Sequence, residues 1–506
     1  MIWTEKNYKK GETKVIKAKV CVIGSGCAGA MVGRDLAKRG VKVVVMEEGP
    51  YVPPSELNQR EDYLIPRLYR MNAMQPTHDY SIDVLEGRCI GGGSVINAAD
   101  CVMTHEEVFK MWQRDFGLEG VEWEEIKIAY EDVKRDIRVN KIEVEKLNRN
   151  NSILFQTAKK LGYSCETFEH NREGCVDCGY CMIGCSYNAK QSALITLIPE
   201  AIQYGAEFYS SAFVRNIVFK NGKAEKAEGI FIDFSTLRGI GRFEVYADTF
   251  VLCAGAIHSP NILFHSNHKF PENLGRFLSL QPQLPVMSLF DEELTSYRGI
   301  PQAVYCNQFE EVSDKDGYGG FRIESIMVGP AMGSGFLPEI GEKAQGFMKN
   351  FNKIAAVLVL FPDKPSGFLK KWNTNQPIIY YEMKDELKNR IKRGLKETAR
   401  IFLEAGAKEV LLPFEEVVSV KSKEEINKID GIELKPGLIK SISAHPQGTL
   451  RMSMKDGVVD SNFRIKGVSN LYACDSSIFP TTSSSHIMLP IYSFAKVCAN
   501  RILKFL

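Results

Sequence analysis

Residues 19–29 read KVCVIGSGCAG: Lys19–Ile23 is a short β-rich run, and it ends in Gly24-Ser25-Gly26-Cys27-Ala28-Gly29. A helix-compatible stretch, Ala30–Arg39, follows and stops at Gly40, and a second apolar run, Val41–Met46, then delivers Glu47. Strand, glycine turn, helix, strand and acid in this order are the βαβ grammar of a dinucleotide site. Gly24 lets the strand turn sharply and Gly26 lets backbone approach a pyrophosphate. Gly29 lets helix and strand pack closely, with the phosphates facing the helix N-terminus. Ala28 sits inside the same cradle. Glu47, 18 residues after Gly29, is placed to accept hydrogen bonds from a ribose 2′-hydroxyl, and a carboxylate there argues against a 2′-phosphate and so against NADP. A glycine turn alone also describes a loop with no ligand. The flanking elements favour a dinucleotide without saying which one.

The rest of the 506 residues bound the problem. Sixty-four Lys+Arg against 62 Asp+Glu leave a formal charge of +2, so there is no global basic field for nucleic acid and no acidic excess of the disordered kind. At 44% hydrophobic and 25% charged residues the composition is that of an ordinary globular chain of two or three domains. The start has no apolar stretch of the secretory type before the first strand. The longest strongly apolar run, Ile354–Pro362, falls far short of the ~20 residues a membrane-spanning helix needs, so no transmembrane segment is expected. A reduced, cytoplasmic setting is the default reading.

Further motifs follow. Gly87-Arg88-Cys89-Ile90-Gly91-Gly92-Gly93-Ser94-Val95-Ile96-Asn97 carries three consecutive glycines, an entropic cost that close backbone approach to a flat or bulky group would justify. Residues 251–266 read VLCAGAIHSPNILFHS, a strand running into a turn with a helix start expected at Ser259-Pro260. The C-terminal third holds Ser443-Ala444-His445-Pro446-Gln447-Gly448-Thr449, Ala473-Cys474-Asp475-Ser476 and Ser484-Ser485-His486-Ile487-Met488.

These motifs, in this order, resemble the glucose–methanol–choline (GMC) oxidoreductase family of FAD enzymes, and the triple glycine is similar to its bacterial cholesterol-oxidase branch. The resemblance implies an α/β fold: a Rossmann-like FAD-binding domain with an intertwined α+β substrate-binding domain. It also implies that Gly92, Gly93, Ser94, Asn97 and Met488 lie along the flavin, that Asp475 and Ser476 contact the pyrophosphate or ribityl chain, and that Val214 belongs to the adenine-side strand. The 91–97 loop contains no histidine of the kind that attaches FAD covalently in some members, so a dissociable flavin is expected. By the same resemblance His445 is the catalytic histidine and His486 the second site residue. The chemistry suits imidazoles: an alcohol loses its hydroxyl proton as hydride leaves carbon, and a group with an ordinary pKa near 6.5 can take that proton. A second donor at the same oxygen steadies alkoxide charge. Pro490 and the helix-compatible run 491–506 place a helix N-terminus beside His486.

The thirteen cysteines are unevenly spread, for Cys175, Cys178, Cys181 and Cys185 fall within residues 174–190, GCVDCGYCMIGCSYNAK. The spacing C-x2-C-x2-C-x3-C matches a ferredoxin-type run for a [4Fe–4S] cluster, with Ser186 where that run has Pro. Zinc, free thiols or a local disulfide are the other readings, and Cys165 is a nearby spare thiol. A c-type haem is excluded because Met182 follows Cys181. The segment also resembles the GMC long-chain alcohol oxidases, which carry similar cysteines before a pair matching Lys190-Gln191; other GMC dehydrogenases use cysteines here for an iron–sulfur cluster that feeds a partner. The other nine cysteines read as buried, inert thiols.

The expected organisation is an FAD-binding domain from 1–105, 205–280 and 440–506, a substrate-side segment with the cysteines at 106–204, and a substrate-binding domain at 281–439. Amphipathic helices are expected over Glu124–Ile137 and Lys384–Ala405. The leading expectation is FAD-dependent oxidation of an alcohol, with His445 as base and electrons leaving through an iron–sulfur cluster to a partner protein or quinone-like acceptor. The alternatives are an oxidase that reduces dioxygen and whose cysteines are structural, a non-redox FAD lyase, and a non-catalytic electron carrier.

Overall fold

The strand predicted at Lys19–Ile23 is the end of a longer one, Thr13–Ile23, because the alternating residues upstream continue the pairing with Arg242–Leu252. The computed structural model describes residues 1–118, 120–313, 319–338, 340–372 and 376–506. In the first sheet, Val43–Met46, Glu207–Tyr209, Arg238–Leu252 and Leu471–Ala473 join Thr13–Ile23 in parallel. Lys223–Asp233 and Ala212–Lys220 continue the sheet antiparallel beyond Arg238–Leu252. The register aligns Ile23 with Met46 and Leu252, Met46 with Tyr209, and Leu252 with Ala473. Gly24, Glu47, Cys253 and Cys474 therefore emerge together at the carboxyl edge, where open α/β sheets bind ligands.

The helix after the glycine turn starts at Cys27, three residues earlier than its apolar pattern suggested, and ends at Lys38, one residue earlier, with Gly26 as its N-cap. The helix expected to start at Ser259-Pro260 instead spans Gly255–Phe264, with Pro260 inside it. A proline there cannot donate to the carbonyl four residues back. That carbonyl, Ala256 O, accepts from Thr449 Oγ1 at 2.5 Å, and Ser259 Oγ donates to Asp475 Oδ2, so the C-terminal motifs satisfy what the proline leaves open.

The second sheet is mostly antiparallel and centres on Gln283–Leu289 and Ile354–Leu360, with Arg322–Ser325, Val304–Cys306 and Cys165–Thr167 beyond. Ile354–Leu360 is buried throughout, as an apolar run of that length in a central strand must be. Side chains alternate: Leu284 and Val286 enter a core with Leu387, Ile391 and Leu395 of the amphipathic helix Asp385–Glu404, while Gln283, Pro285 and Met287 face the cavity described below. The second expected amphipathic helix spans Trp123–Asp136, and the last helix spans Met488–Leu503, with Pro490 in its first turn. The architecture is the mixed α/β arrangement expected. Among the described residues no helix is long and apolar enough to cross a membrane.

Candidate active site

A cavity of about 320 Å³ runs from the carboxyl edge of the first sheet to the inner face of the second. Gly24, Gly26, Ala28 and Glu47 line one end of it, and Val214 joins them from its strand. Gly92, Gly93, Asn97, Asp475, Ser476 and Met488 also line it, together with His445 and His486. Two predicted residues do not. Gly29 faces the first strand, where a Cβ would lie 1.8 Å from Gly24 O, so its role is helix–strand packing. Ser94 is fully buried, donating to Gly91 O at 2.6 Å and accepting from Ala193 N, which holds the glycine loop in shape. That loop presses on the dinucleotide turn: Gly92 has φ +50°, and a Cβ there would meet Gly26 Cα at 2.8 Å.

The cradle is polar where a nucleotide would need it to be. Helices Cys27–Lys38, Gly255–Phe264 and Met488–Leu503 all start at the cavity, pointing the positive ends of their dipoles inward. Glu47 accepts from Ser25 N, Ser25 Oγ and Gly49 N at 2.8–3.0 Å, and burial raises its pKa. Asn97 Nδ2 lies 2.8 Å from Met488 Sδ, joining loop to terminal helix, while Asn97 Oδ1 is buried without a protein partner. His258 Nε2 and Glu86 Oε2, also on this wall, face each other at 3.5 Å. The unpaired Asn97 oxygen fits a bound polar group at this wall. Asp475 is committed to protein: its oxygens accept from Gly255 N, Ser259 Oγ and Ser477 N, capping two helices.

At the other end His445 and His486 stand side by side, ring centroids 5.0 Å apart at 77°. Their environments pull them apart electrostatically. Burial, and then the neighbouring His486, push the His445 pKa well below 6.5, so it is neutral. Burial works against charge on His486 too, but Glu324 and Asp100 outweigh it and hold its pKa above the ordinary value. His486 Nε2 lies 3.0 Å from both Glu324 oxygens, and its Nδ1 is 3.7 Å from Asp100 Oδ2. The Gln281 and Gln283 amides each lie 3.0 Å from His445 Nδ1. Gln283 presents its amide nitrogen to Nδ1, and turning the Gln281 amide so that its nitrogen also faces Nδ1 gives Ser485 both of its bonds, which makes Nδ1 the acceptor and puts the ring proton on Nε2; a bare Nε2 needs both amides to turn their oxygens to Nδ1–H. The amide orientation is thus tied to the proton on His445.

The wall beyond the histidines is apolar, formed by Met287, Met327, Met332, Phe336 and Leu358. Sequence reasoning missed this wall and missed Asp100, Gln281, Gln283 and Glu324. Asp100 sits three residues past Asn97, and Glu324 is an acid inside the buried strand Arg322–Ser325. A charged residue in so apolar a context was the available signal.

The four cysteines do come together. Cys175, Cys178, Cys181 and Cys185 line one pocket of about 10 Å³, room for a single water-sized group, and Arg172 lines it with them. Among the described residues no group of three or more His, Cys, Asp or Glu is arranged to hold a metal ion. All thirteen cysteines are free thiols. Arg172 Nη1 reaches Cys181 Sγ at 3.2 Å and Cys175 Sγ at 3.6 Å, and Lys190 N donates to Cys185 Sγ. The expected [4Fe–4S] ligand set is therefore not supported: the spacing brings the thiols together, but the cation among them is a guanidinium.

GMC oxidoreductase family models match residues 63–283 and 367–495, together well over half of the chain. An uncharacterised GMC-type oxidoreductase of Mycobacterium tuberculosis is 29% identical over 96% of this chain and 76% of its own length. A long-chain-alcohol oxidase of Arabidopsis thaliana is 27% identical over 97% of this chain and 68% of its own. Among solved structures, pyridoxine 4-oxidase from Mesorbium loti superposes with a TM-score of 0.72 at 17% identity, covering 96% of this chain and 99% of that one. A formate oxidase of Aspergillus oryzae gives 0.73 at 14% identity, covering 98% and 99%. Motif order, sheet register, paired histidines and family models agree, and the chain belongs to the GMC oxidoreductase family.

Proposed function

We propose that this protein is an FAD-dependent alcohol oxidoreductase acting on a primary or secondary hydroxyl carried by a largely apolar molecule. The observation that carries the reading is the pairing, on the wall of one cavity, of His445, whose pKa is pushed well below 6.5, with His486, whose pKa is held above it. Two adjacent titratable groups with pKa values driven apart are the mark of divided acid and base roles. Gly24, Gly26, Ala28 and Glu47 would hold the nucleotide half of FAD, with Val214 on its adenine side, and Gly92, Gly93, Asn97, Ser476 and Met488 the flavin half. Bound there, FAD supplies the hydride acceptor. His445 takes the hydroxyl proton at Nε2 once the Gln281 and Gln283 amides turn their oxygens to Nδ1–H, and His486 steadies the negative charge on the substrate oxygen. The same His486 charge discourages His445 from keeping that proton, which favours its release after turnover. The methionine-rich wall suits an apolar body, since thioethers adapt to flexible chains, and the similarity to a long-chain-alcohol oxidase supports the same substrate class.

The cysteine pocket offers no ligand set for a cluster, so no electron path is drawn through it. The oxidase reading then needs no further group: alcohol and dioxygen give the carbonyl compound and hydrogen peroxide. The free thiols fit a reducing compartment such as the cytoplasm. The test is anaerobic mixing of the flavoprotein with a panel of alcohols, followed by admission of air. Flavin bleaching by an apolar alcohol and peroxide on reoxidation are expected. If dithionite bleaches the flavin and no alcohol does, the proposal falls; bleaching without peroxide returns the dehydrogenase reading.

A further inference from the structure

A buried path of polar groups leads from His486 to the cysteine pocket. Arg172 Nε donates to His170 Nδ1 at 2.8 Å. A guanidinium can only donate, so Nδ1 is the bare nitrogen of His170 and the ring proton is on Nε2. That nitrogen lies 2.7 Å from Asp100 Oδ1 and donates to it. The other oxygen, Asp100 Oδ2, faces His486 Nδ1 at 3.7 Å. Both protons in the path point toward Asp100. His170 cannot take a second proton without giving up Arg172; burial, and then the guanidinium, push its pKa down to about 4. The backbone is held as well, by β-bridges between Asp100 and His170 and between Arg172 and Lys190.

The far end of the path is the socket. Arg172 Nη2 donates to Ala98 O at 2.7 Å and Nη1 reaches the thiols of Cys175 and Cys181. Ala98 is two residues before Asp100, so the same guanidinium braces that loop directly and through His170.

We propose that Asp100 is a positioning residue for the reaction of His445 and His486, and that His170 and Arg172, seated among the cysteines, form the arm that aims it at His486. The cysteine run thereby has a role that requires no metal. The inference rests on the proposed alcohol chemistry for its kinetic consequence, though not for the geometry of the arm. His486 is faced by Glu324 and Arg322 from the strand Arg322–Ser325, by Asp100 from the glycine-loop side and by His445 from the C-terminal segment. Removing Asp100 therefore leaves Glu324 in place and lowers the pKa of His486 without abolishing its charge at acid pH.

The experiment measures anaerobic flavin reduction by an alcohol across pH in the holoenzyme, for the wild type, Asp100→Asn, His170→Ala and His170→Gln. Asp100→Asn should move the alkaline limb down by about one pH unit or more, lowering kcat above neutrality with KM for the alcohol unchanged. His170→Ala should move it in the same direction, and His170→Gln, whose amide can still donate to Asp100, should restore it. An Asp100→Asn limb that superimposes on the wild type overturns the proposal. So that poorly folded variants leave no gap, 15N-histidine NMR of the wild-type holoenzyme near neutral pH reads the arm itself. His170 should appear as the neutral Nε2–H tautomer, and an Nδ1–H or doubly protonated His170 overturns the proposal. If no alcohol reduces the wild-type flavin, the proposed function fails, and the NMR result still decides the arm.

Discussion

Glu324→Gln should narrow the pH profile of this enzyme from both sides. Both Glu324 oxygens lie 3.0 Å from His486 Nε2, the side chain is fully buried, and Gln302 Nε2 holds Oε2 at 2.7 Å. Glutamine keeps that shape and can still accept from Gln302, but its amide nitrogen would then face His486 and favour the neutral imidazole. An opposite charge this close is worth roughly 1–3 pKa units, or about 1.4–4 kcal/mol at 1.36 kcal/mol per unit. Asp100 remains nearby, so His486 loses its proton at lower pH without losing it everywhere. The second effect follows from the first. His486 is one of the causes that depress His445, so a neutral His486 lets the His445 pKa rise towards its ordinary value. The alkaline limb should therefore move down and the acid limb up, in profiles of anaerobic stopped-flow flavin reduction. A folded, FAD-loaded Glu324→Gln enzyme with both limbs unmoved would refute the division of charge between the two histidines.

Other outcomes follow from the same structure. His445→Ala should keep the FAD spectrum and reduction by dithionite while losing about 10²–10⁴-fold in flavin reduction by alcohol; undiminished reduction would remove the base. Gly92→Ala adds a Cβ 2.8 Å from Gly26 Cα at φ +50°, and should cost about 1–3 kcal/mol in denaturant titrations and weaken FAD retention on dialysis. Asp363, buried beneath Leu280 N, Gln281 N and the Tyr381 hydroxyl, is raised by burial from 3.8 to about 6. The folded chain then holds a proton that the unfolded chain releases above pH 4, so stability should fall by up to about 3 kcal/mol as pH rises through that window and level off above it. Urea midpoints measured against pH check this, and Asp363→Asn, which does not titrate, should flatten the slope.

How far the sequence could be read depended on the range of the interaction involved. The dinucleotide turn is local: Gly24, Gly26, Gly29 and Glu47 lie within one βαβ unit, so spacing alone could place them. His445 and His486 could be picked out because their flanking motifs are local too. Pro260 shows the limit, since its place inside a helix depends on Thr449, a residue almost two hundred positions away. Glycine spacing also could not tell Gly29, which serves packing, from Gly26, which lines the cavity. Ser94 turned inward because its hydroxyl had a backbone partner at Ala193.

The spacing of the cysteine run left its filling open for a related reason. A spacing rule counts the thiols that reach one point, but what fills that point depends on the cations the rest of the chain delivers there, and Arg172 stands three residues before the first cysteine. From that guanidinium the buried charges run in order: Arg172, neutral His170, Asp100, His486, Glu324, Arg322. Burying any one of them alone would cost several kcal/mol, and alternation of sign is what makes the row tolerable. The row is assembled from residues near 100, 170, 322 and 486, and no stretch of it is visible in a formal charge of +2. Its consequence is functional. Asp100 and Glu324 flank His486 on both sides and favour its charged form, whereas His445 has only amides at Nδ1 and is held towards its neutral form. Two imidazoles of the same intrinsic basicity are thus driven apart by their neighbours alone, one towards its neutral form and one towards its charged form.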